Sequence, residues 1–329
     1  MKESTIILSR TPFRISLGGG STDLPSYYEK YNGFIFSVAI SMYMDILFKV
    51  PRSDNFIQLH YKEFESVSDI NELKHELARE ALKMHRLNEK ISISFKSDIP
   101  AGTGLGSSGA CAVSLHKGLA EFNEVRMSNL VAAEKSFELT QNLGLPDGVQ
   151  DPYVCALGGF IILNIETKGN VNVTQPKITS ITKNKLFNNC LFFFTGIKRD
   201  SGSILTSQSD QKVLELKHKT KEIGKEIYQA FLNDDLDTFG NLLDMHWQVK
   251  KKMSNRMSSD KLDMIYDTAK KAGALGGKIM GAGGGGFFMF YCPTEEIKTR
   301  VHKALEYFDM YEMFFGLDDF GARIKIIDL

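Results

Sequence analysis

Apolar residues at Ile91, Ile93 and Phe95 alternate with Ser92, Ser94 and Lys96, the period of a strand with one wetted face. Similar stretches at residues 5–9, 34–40, 43–50 and 56–61 predict a strand-rich first third. Helical spacing interrupts it: Pro25 opens a short helix that Asn32 and Gly33 end, and Ile70, Leu73, Leu77 and Leu82 trace one buried stripe. Ser128 reads as the N-cap of a later helix with the stripe Leu130, Ala133, Phe137 and Thr140, stopped by Gly144. Residues 168–185 are polar and hold Pro176, so a boundary is expected there, with lobes at residues 1–180 and 181–329. The second half reads as a strand at 190–195, helices carrying Leu216, Ile223, Ile227 and Phe231, then Leu242, Leu243 and Trp247, then Leu262, Ile265 and Ala269. Strands at 277–280 and 287–292, a helix at 295–307 and a strand at 323–327 follow. Stripped of extra helices, this is βαββαβ, a ferredoxin-like split unit, and the chain is α+β overall.

Charge narrows the partners. Forty Lys and Arg balance forty Asp and Glu among 329 residues, so no global field attracts nucleic acid or an acidic membrane, and an anion must be bound locally. The four cysteines, Cys111, Cys155, Cys190 and Cys292, lack metal-ligand spacing and read as reduced thiols. The seven histidines show no zinc-binding pattern. With no apolar run of spanning length and no signal-peptide pattern in MKESTIILSR, a cytoplasmic protein is expected.

The chemistry concentrates in glycine. Residues 100–109, PAGTGLGSSG, lie between a strand pattern and a helical one. Glycines there let successive N–H groups turn toward one anion, and the helix start adds its dipole. Ser107 and Ser108 fall at that start, where a hydroxyl caps the helix or reaches a phosphate-bound metal. The stretch 104–109 also matches GxGxxG, but its half-wetted strand disagrees with a dinucleotide-binding parallel unit. A Walker-type loop fails at residues 273–278, where the spacing is wrong and Ile279 stands in place of Ser or Thr.

Two further clusters, RTPFRISLGGGSTDL at 10–24 and KIMGAGGGGF at 278–287, complete an ordered set of three. Together they resemble the GHMP kinases, the superfamily of galactokinase, homoserine kinase, mevalonate kinase and phosphomevalonate kinase. GLPDGVQDPYVCALGGF from Gly144, TGIKR from Thr195 and HWQVKK from His246 are similar to the heptose 7-phosphate kinases within it. The resemblance implies an N-terminal lobe like domain 2 of ribosomal protein S5, a ferredoxin-like C-terminal lobe, and a site between them.

It also implies roles. Pro100, Gly102, Gly104, Leu105, Gly106, Ser107, Ser108 and Gly109 would wrap ATP, with Ser108 and Glu138 holding Mg²⁺. Glu134, one turn from Glu138, is the competing position, and a solvated glutamate is the plain alternative. Asp151 matches the catalytic base and Arg14 the basic group beside it, although a structural ion pair predicts the same proximity. Asp147, in a tight-turn sequence, reads as structure. Gly18, Gly19, Gly20, Ser21, Thr22 and Asp23 would face the sugar, while Asp23 before Leu24 and Pro25 equally reads as a helix cap. Gly281, Gly283 and Gly284 would let backbone approach substrate, and Lys278 reads as a strand lysine with an exposed head. Arg199, with Lys198, is the candidate for a second phosphate, against the alternative of a solvated loop pair. Val149 and Pro152 depart from the heptose kinase pattern. The implied activity is ATP-dependent phosphorylation of the anomeric hydroxyl of a heptose 7-phosphate. A free-sugar kinase and a silent nucleotide- or sugar-binding protein are the alternatives, and a homodimer is compatible with either.

Overall fold

The strand expected at residues 5–9 runs unbroken through the first motif to Gly18, in a computed structural model that describes residues 5–197 and 211–328. In chain order the first half is β1 (Thr5–Gly18), α1 (Pro25–Tyr31), β2 (Gly33–Lys49), β3 (Ile57–His60), β4 (Phe64–Val67), α2 (Glu76–Met84) and β5 (Ile91–Ser97). It continues with α3 (Ser107–Phe122), α4 (Asn129–Asn142), α5 (Gln150–Leu157), β6 (Phe160–Ile165) and β7 (Val171–Thr174). The second half is α6 (Ser180–Asn189), β8 (Cys190–Phe194), α7 (Gln211–Leu232), α8 (Leu236–Lys251), α9 (Asp260–Ala272), β9 (Gly276–Ile279), β10 (Phe287–Tyr291), α10 (Glu295–Leu305), β11 (Tyr311–Glu312) and β12 (Arg323–Asp328).

Phe13, Ile15 and Leu17 are buried along β1, and so are Arg14 and Ser16 between them, because helices cover both faces here. A polar residue survives in such a place only with partners or a ligand to meet it. The larger sheet runs β12-β1-β2-β5-β3-β4, with β6 and β7 continuing from β2. The two strands expected at 34–40 and 43–50 are one, β2, whose register with β1 shifts between Pro12 and Phe13. Ser128 caps α4 by accepting the Val131 N–H at 3.2 Å, and Gly144 follows with φ 67°, both as expected. Leu130 is exposed, however; Ala133 and Thr140 of the expected stripe are buried and Phe137 half-buried, and Ala132, Ser136 and Leu139 widen that face. Ile70 belongs to a separate 3₁₀ turn, since α2 starts at Glu76 with His75 Nδ1 as its cap acceptor.

The smaller sheet has the order β11-β8-β10-β9, every neighbouring pair antiparallel. That is the ferredoxin-like arrangement, with one correction. The strand expected as its last member, Arg323–Asp328, pairs with β1 instead, and Tyr311–Glu312 takes its place beside β8. The division at residue 180 therefore separates the sheets but not the chain, which re-enters the first lobe at its end. Helix α7 also leans on the first lobe: Phe231 meets Phe36 edge-on at 5.1 Å, and Gly224 touches the backbone at Gly18 and Gly19. Fully buried Trp247, Phe288 and Phe290 anchor the second lobe, at ~1.5–3 kcal/mol of burial for a side chain of this kind.

Candidate active site

The second motif takes a backbone conformation that a cradle requires. Gly102, Gly104 and Gly106 take φ of 76°, 87° and 83°, a left-handed conformation that costs glycine little. Gly106 is the N-cap of α3 and has no side-chain cap, so the first N–H groups of this 16-residue helix face outward without an intrahelical acceptor. Ser107 and Ser108 line the adjoining cavity, which has a volume of about 1140 Å³. Pro100, Gly102 and Gly104 line it too, whereas Leu105 is buried and accepts the Arg14 N–H at 2.9 Å through its carbonyl. The loop is thereby tied to β1.

Helix α3 packs on α5 at Gly109, where an added Cβ would lie 2.7 Å from Cβ of Asp151 and 2.8 Å from the following backbone. The missing side chain brings Asp151 against the cradle. Gly109→Ala is expected to cost ~1–3 kcal/mol of stability by overpacking and to cut turnover at least about tenfold by displacing Asp151. Thermal melts and steady-state rates on the same preparation check both.

Arg14 joins the two parts. It donates to Oδ1 of Asp151 through Nε at 2.8 Å and Nη2 at 2.6 Å, and to the Gly104 carbonyl through Nη1 at 2.7 Å. Its side chain is 5 % exposed and that of Asp151 28 %, so the aspartate is the member open to the cavity. Both contacts converge on one carboxylate oxygen, and Oδ2 is the acceptor that Arg14 does not take.

Two more carboxylates share this space. Burial, then the Asp151 charge, raises the Asp23 carboxyl above its ordinary range, against the N–H of Gln150, which donates to Asp23 Oδ2 at 3.2 Å. Asp23 is thus a cap, but of α5; the N-cap of α1 is Leu24, without a side-chain bond. Burial followed by the charges of Asp151 and Asp23 pushes Asp147 up to about 6. A raised carboxyl favours folding while protonated, and this contribution is lost as pH climbs from the unfolded value through about 6. Asp147→Asn is therefore expected to stabilise the protein by ~1–2 kcal/mol at about pH 7.5, the gain shrinking toward zero near pH 4. Urea unfolding at the two pH values measures the difference.

The first motif is only partly a ligand surface. Gly20, Ser21 and Asp23 line the cavity. Gly18 and Gly19 do not: an added Cβ would meet the Gly224 Cα at 2.6 Å from Gly18 and the Phe34 carbonyl at 1.9 Å from Gly19. Thr22 is buried, with Oγ1 2.7 Å from the Gly19 carbonyl and 2.8 Å from that of Phe34. These three are fastenings, required because helix and strand backbones touch there. In the third motif Gly281 lines the cavity, while the Gly284 N–H donates to the Met257 carbonyl at 2.8 Å and Gly283 packs on Met257. Gly286 lies against the Thr103 carbonyl, so this loop seats on the second motif.

Two expectations end differently. Glu138 points away from the cavity, exposed and paired with Lys135 at 2.6 Å, because an i, i+3 partner is available on the outer face of α4; Glu134 is exposed as well. Lys278 is 1 % exposed rather than a surface lysine: α8 covers β9, and Nζ donates to the Leu17 carbonyl at 3.3 Å. Lys198 and Arg199 lie outside the described residues.

The far end of the cavity carries no motif. Tyr61, His75 and Phe95 line it, with the His75 and Phe95 rings stacked at 4.7 Å and 19°. Buried Glu65 holds this slot together, accepting Tyr61 OH at 3.0 Å, Lys74 N–H at 2.6 Å and His75 N–H at 3.2 Å. Only Phe95, an aromatic residue within an otherwise polar strand end, offered a sequence signal. Among the described residues no helix is long and apolar enough to cross a membrane, and all four cysteines are free and buried.

Comparison with known proteins agrees with this geometry. The GHMP kinase N-terminal domain family matches residues 71–159 and the GHMP kinase C-terminal family residues 227–309. D-glycero-alpha-D-manno-heptose 7-phosphate kinase of Campylobacter jejuni is 29 % identical over 96 % of this chain and 98 % of its own. A crystal structure titled as a D-glycero-D-manno-heptose 1-phosphate kinase from Bacteroides thetaiotaomicron superposes with a TM-score of 0.80 at 27 % identity, covering 97 % of this chain and 98 % of that one. A putative sugar kinase from Campylobacter jejuni gives the same score and identity over 99 % and 100 %. With three glycine motifs meeting at one cavity, an α+β fold of two lobes and both family domains matched in order, the chain belongs to the GHMP kinase superfamily of ATP-dependent phosphotransferases acting on hydroxyl acceptors.

Proposed function

We propose that this GHMP-family sugar kinase phosphorylates the anomeric hydroxyl of D-glycero-D-manno-heptose 7-phosphate. The observation that carries the chemistry is the Arg14 fork, which ties the cradle at Gly104 to Asp151 inside one cavity. The substrate rests on similarity to the Campylobacter jejuni heptose 7-phosphate kinase over nearly the full length of both chains. The nucleotide's phosphates lie on the start of α3, with its base in the Tyr61, His75 and Phe95 slot, where stacking suits a planar ring. The sugar lies against Gly20, Ser21 and Asp23. Asp151 Oδ2 accepts the anomeric proton as that oxygen bonds to the terminal phosphorus, and the phosphorus–oxygen bond to the departing ADP breaks. Arg14 places fixed positive charge beside the group in transit. Three carboxylates crowd this end of the cavity, and the charge of Asp151 helps raise the other two, a donor set that suits a hard cation. Mg²⁺ would be held by Ser108 and a carboxylate from this group rather than by Glu138, and supplies charge neutralisation to the phosphate chain.

A coupled ADP-release assay over free and phosphorylated hexoses and heptoses tests the reading. Heptose 7-phosphate is expected to give the highest kcat/KM, well above the unphosphorylated heptose. Equal values for those two sugars, or turnover of fucose or galactose alone, would move the assignment to a free-sugar kinase.

A further inference from the structure

We infer that the end of β1 carries a second anion site, distinct from the nucleotide cradle, in which Ser16 and Lys250 bind a phosphate monoester with the buried Lys278 behind them. Ser16 supplies the first observation. The residue lines the cavity and is buried at 5 % exposure, and its hydroxyl is buried with no hydrogen-bond partner among the described residues. The neighbouring strand solves the same problem in the ordinary way, since Ser37 Oγ donates to the Ile15 carbonyl at 2.6 Å. A buried hydroxyl left without a partner is costly, and a ligand oxygen removes that cost. Gly20 opens on the same space: from its position an added Cβ would find only Ser16 Oγ, at 3.8 Å.

Charge supplies the second. Lys250 ends α8, is buried, lines the same cavity, and donates through Nζ to the Gly281 carbonyl. That carbonyl orients an ammonium, a group with three donors, at the edge of the cavity the residue lines. Lys278 donates to the carbonyl of Leu17, the residue next to Ser16. The charged groups acting on it are Lys250 and Arg14, both positive, and with burial they push its ammonium well down. His246, one turn before Lys250, is fully buried, and burial plus the two lysines keep its ring neutral. The wall built from the first and third motifs is therefore rich in buried basic groups, and the carboxylates Asp23, Asp147 and Asp151 line the same cavity. An incoming dianion relieves the repulsion between the lysines and satisfies Ser16 at once.

The inference deepens the sugar-kinase reading and rests on it for the ligand's identity. A phosphate ester reaches this wall from either of two sources: the distal phosphate of the sugar, or the transferred phosphoryl group once it is on the sugar. Binding of inorganic phosphate, measured by calorimetry with ADP saturating, tests the site without assuming a sugar. Lys250→Met is expected to weaken phosphate about 10- to 100-fold and Ser16→Ala about 3- to 10-fold, with ADP affinity within twofold of wild type. Should Lys250→Met not fold, Lys250→Gln and Ser16→Ala carry the measurement. Unchanged phosphate affinity in the folded variants overturns the site, whatever the sugar panel shows. If the distal phosphate is the occupant, the variants raise KM for heptose 7-phosphate and spare kcat. If the transferred group is, they lower kcat and weaken inhibition by the product, heptose 1,7-bisphosphate. A failed heptose panel with phosphate binding still lost in the variants refutes the substrate and leaves the site standing.

Discussion

Asp151→Asn is expected to fold, to bind ATP as tightly as the wild type, and to lose about 10²–10⁴ in kcat. The amide oxygen can still accept the two Arg14 donors that now meet at Oδ1, so the buried guanidinium keeps its partner and the packing at Gly109 is untouched. What the amide cannot do is accept a proton at the position of Oδ2. Single-turnover rates, which isolate chemistry from product release, are the decisive measurement, and nucleotide affinity is the control. A wild-type rate would mean that Arg14 and the metal carry catalysis without a base, and that the ion pair is purely structural.

The substitution also separates two meanings of one contact. An Arg–Asp pair joining β1 to α5 stabilises the lobe whatever else it does, and removing one partner from a pair this buried leaves a charge costing about 3–5 kcal/mol. Asparagine avoids most of that penalty because the oxygen remains. A stable but inactive protein therefore assigns the carboxylate to chemistry, which geometry alone does not.

Local signals were legible and long-range ones were not. The left-handed glycines of the second motif, the Ser128 cap and the Gly144 stop depend on residues a few positions apart, and each appears where the pattern places it. Gly18 and Gly19 look like an anion nest by the same local logic, yet their role is set by Gly224, some two hundred residues away, whose backbone touches theirs. Lys278 is misread for the same reason, because the four-residue strand holding it is too short to reveal that both faces are covered. The last strand alternates as any edge strand does, and nothing in that alternation distinguishes β1 from β8 as its neighbour. Asp23 stands at a helix start and does cap a helix, but the helix is α5, brought to it by the fold. Glu138 is the converse: its match to a family position carries no information about which way α4 turns its outer face.

The base slot and the lysine wall were missed because neither is contiguous. Tyr61 lies in the turn after β3, His75 caps α2 and Phe95 is on β5, while Ser16, Lys250 and Lys278 come from β1, α8 and β9. Side chains convergent in space but scattered in sequence leave no spacing to read. The glycine motifs succeed as signals because a backbone cradle is built from consecutive residues.

Arg14→Lys is expected to lose at least about 10²-fold in kcat while retaining most of its stability, the larger loss arising although charge is conserved. The guanidinium reaches Gly104 with one nitrogen and Asp151 with two others, fixing cradle and base at a set separation. A lysine head is a single nitrogen on a flexible stem. It can pair with Asp151 or with the Gly104 carbonyl, but its tetrahedral donors do not reproduce a planar fork between them. The freed carboxylate then shifts relative to the phosphates, and a misplacement of about 1 Å costs on the order of 10²-fold when reacting atoms must be aligned. Pre-steady-state phosphoryl transfer and the nucleotide dissociation constant, taken together, test this. Loss of rate with unchanged nucleotide affinity supports positioning by Arg14, whereas a rate within threefold of wild type would reduce the residue to a counter-charge that any cation can replace.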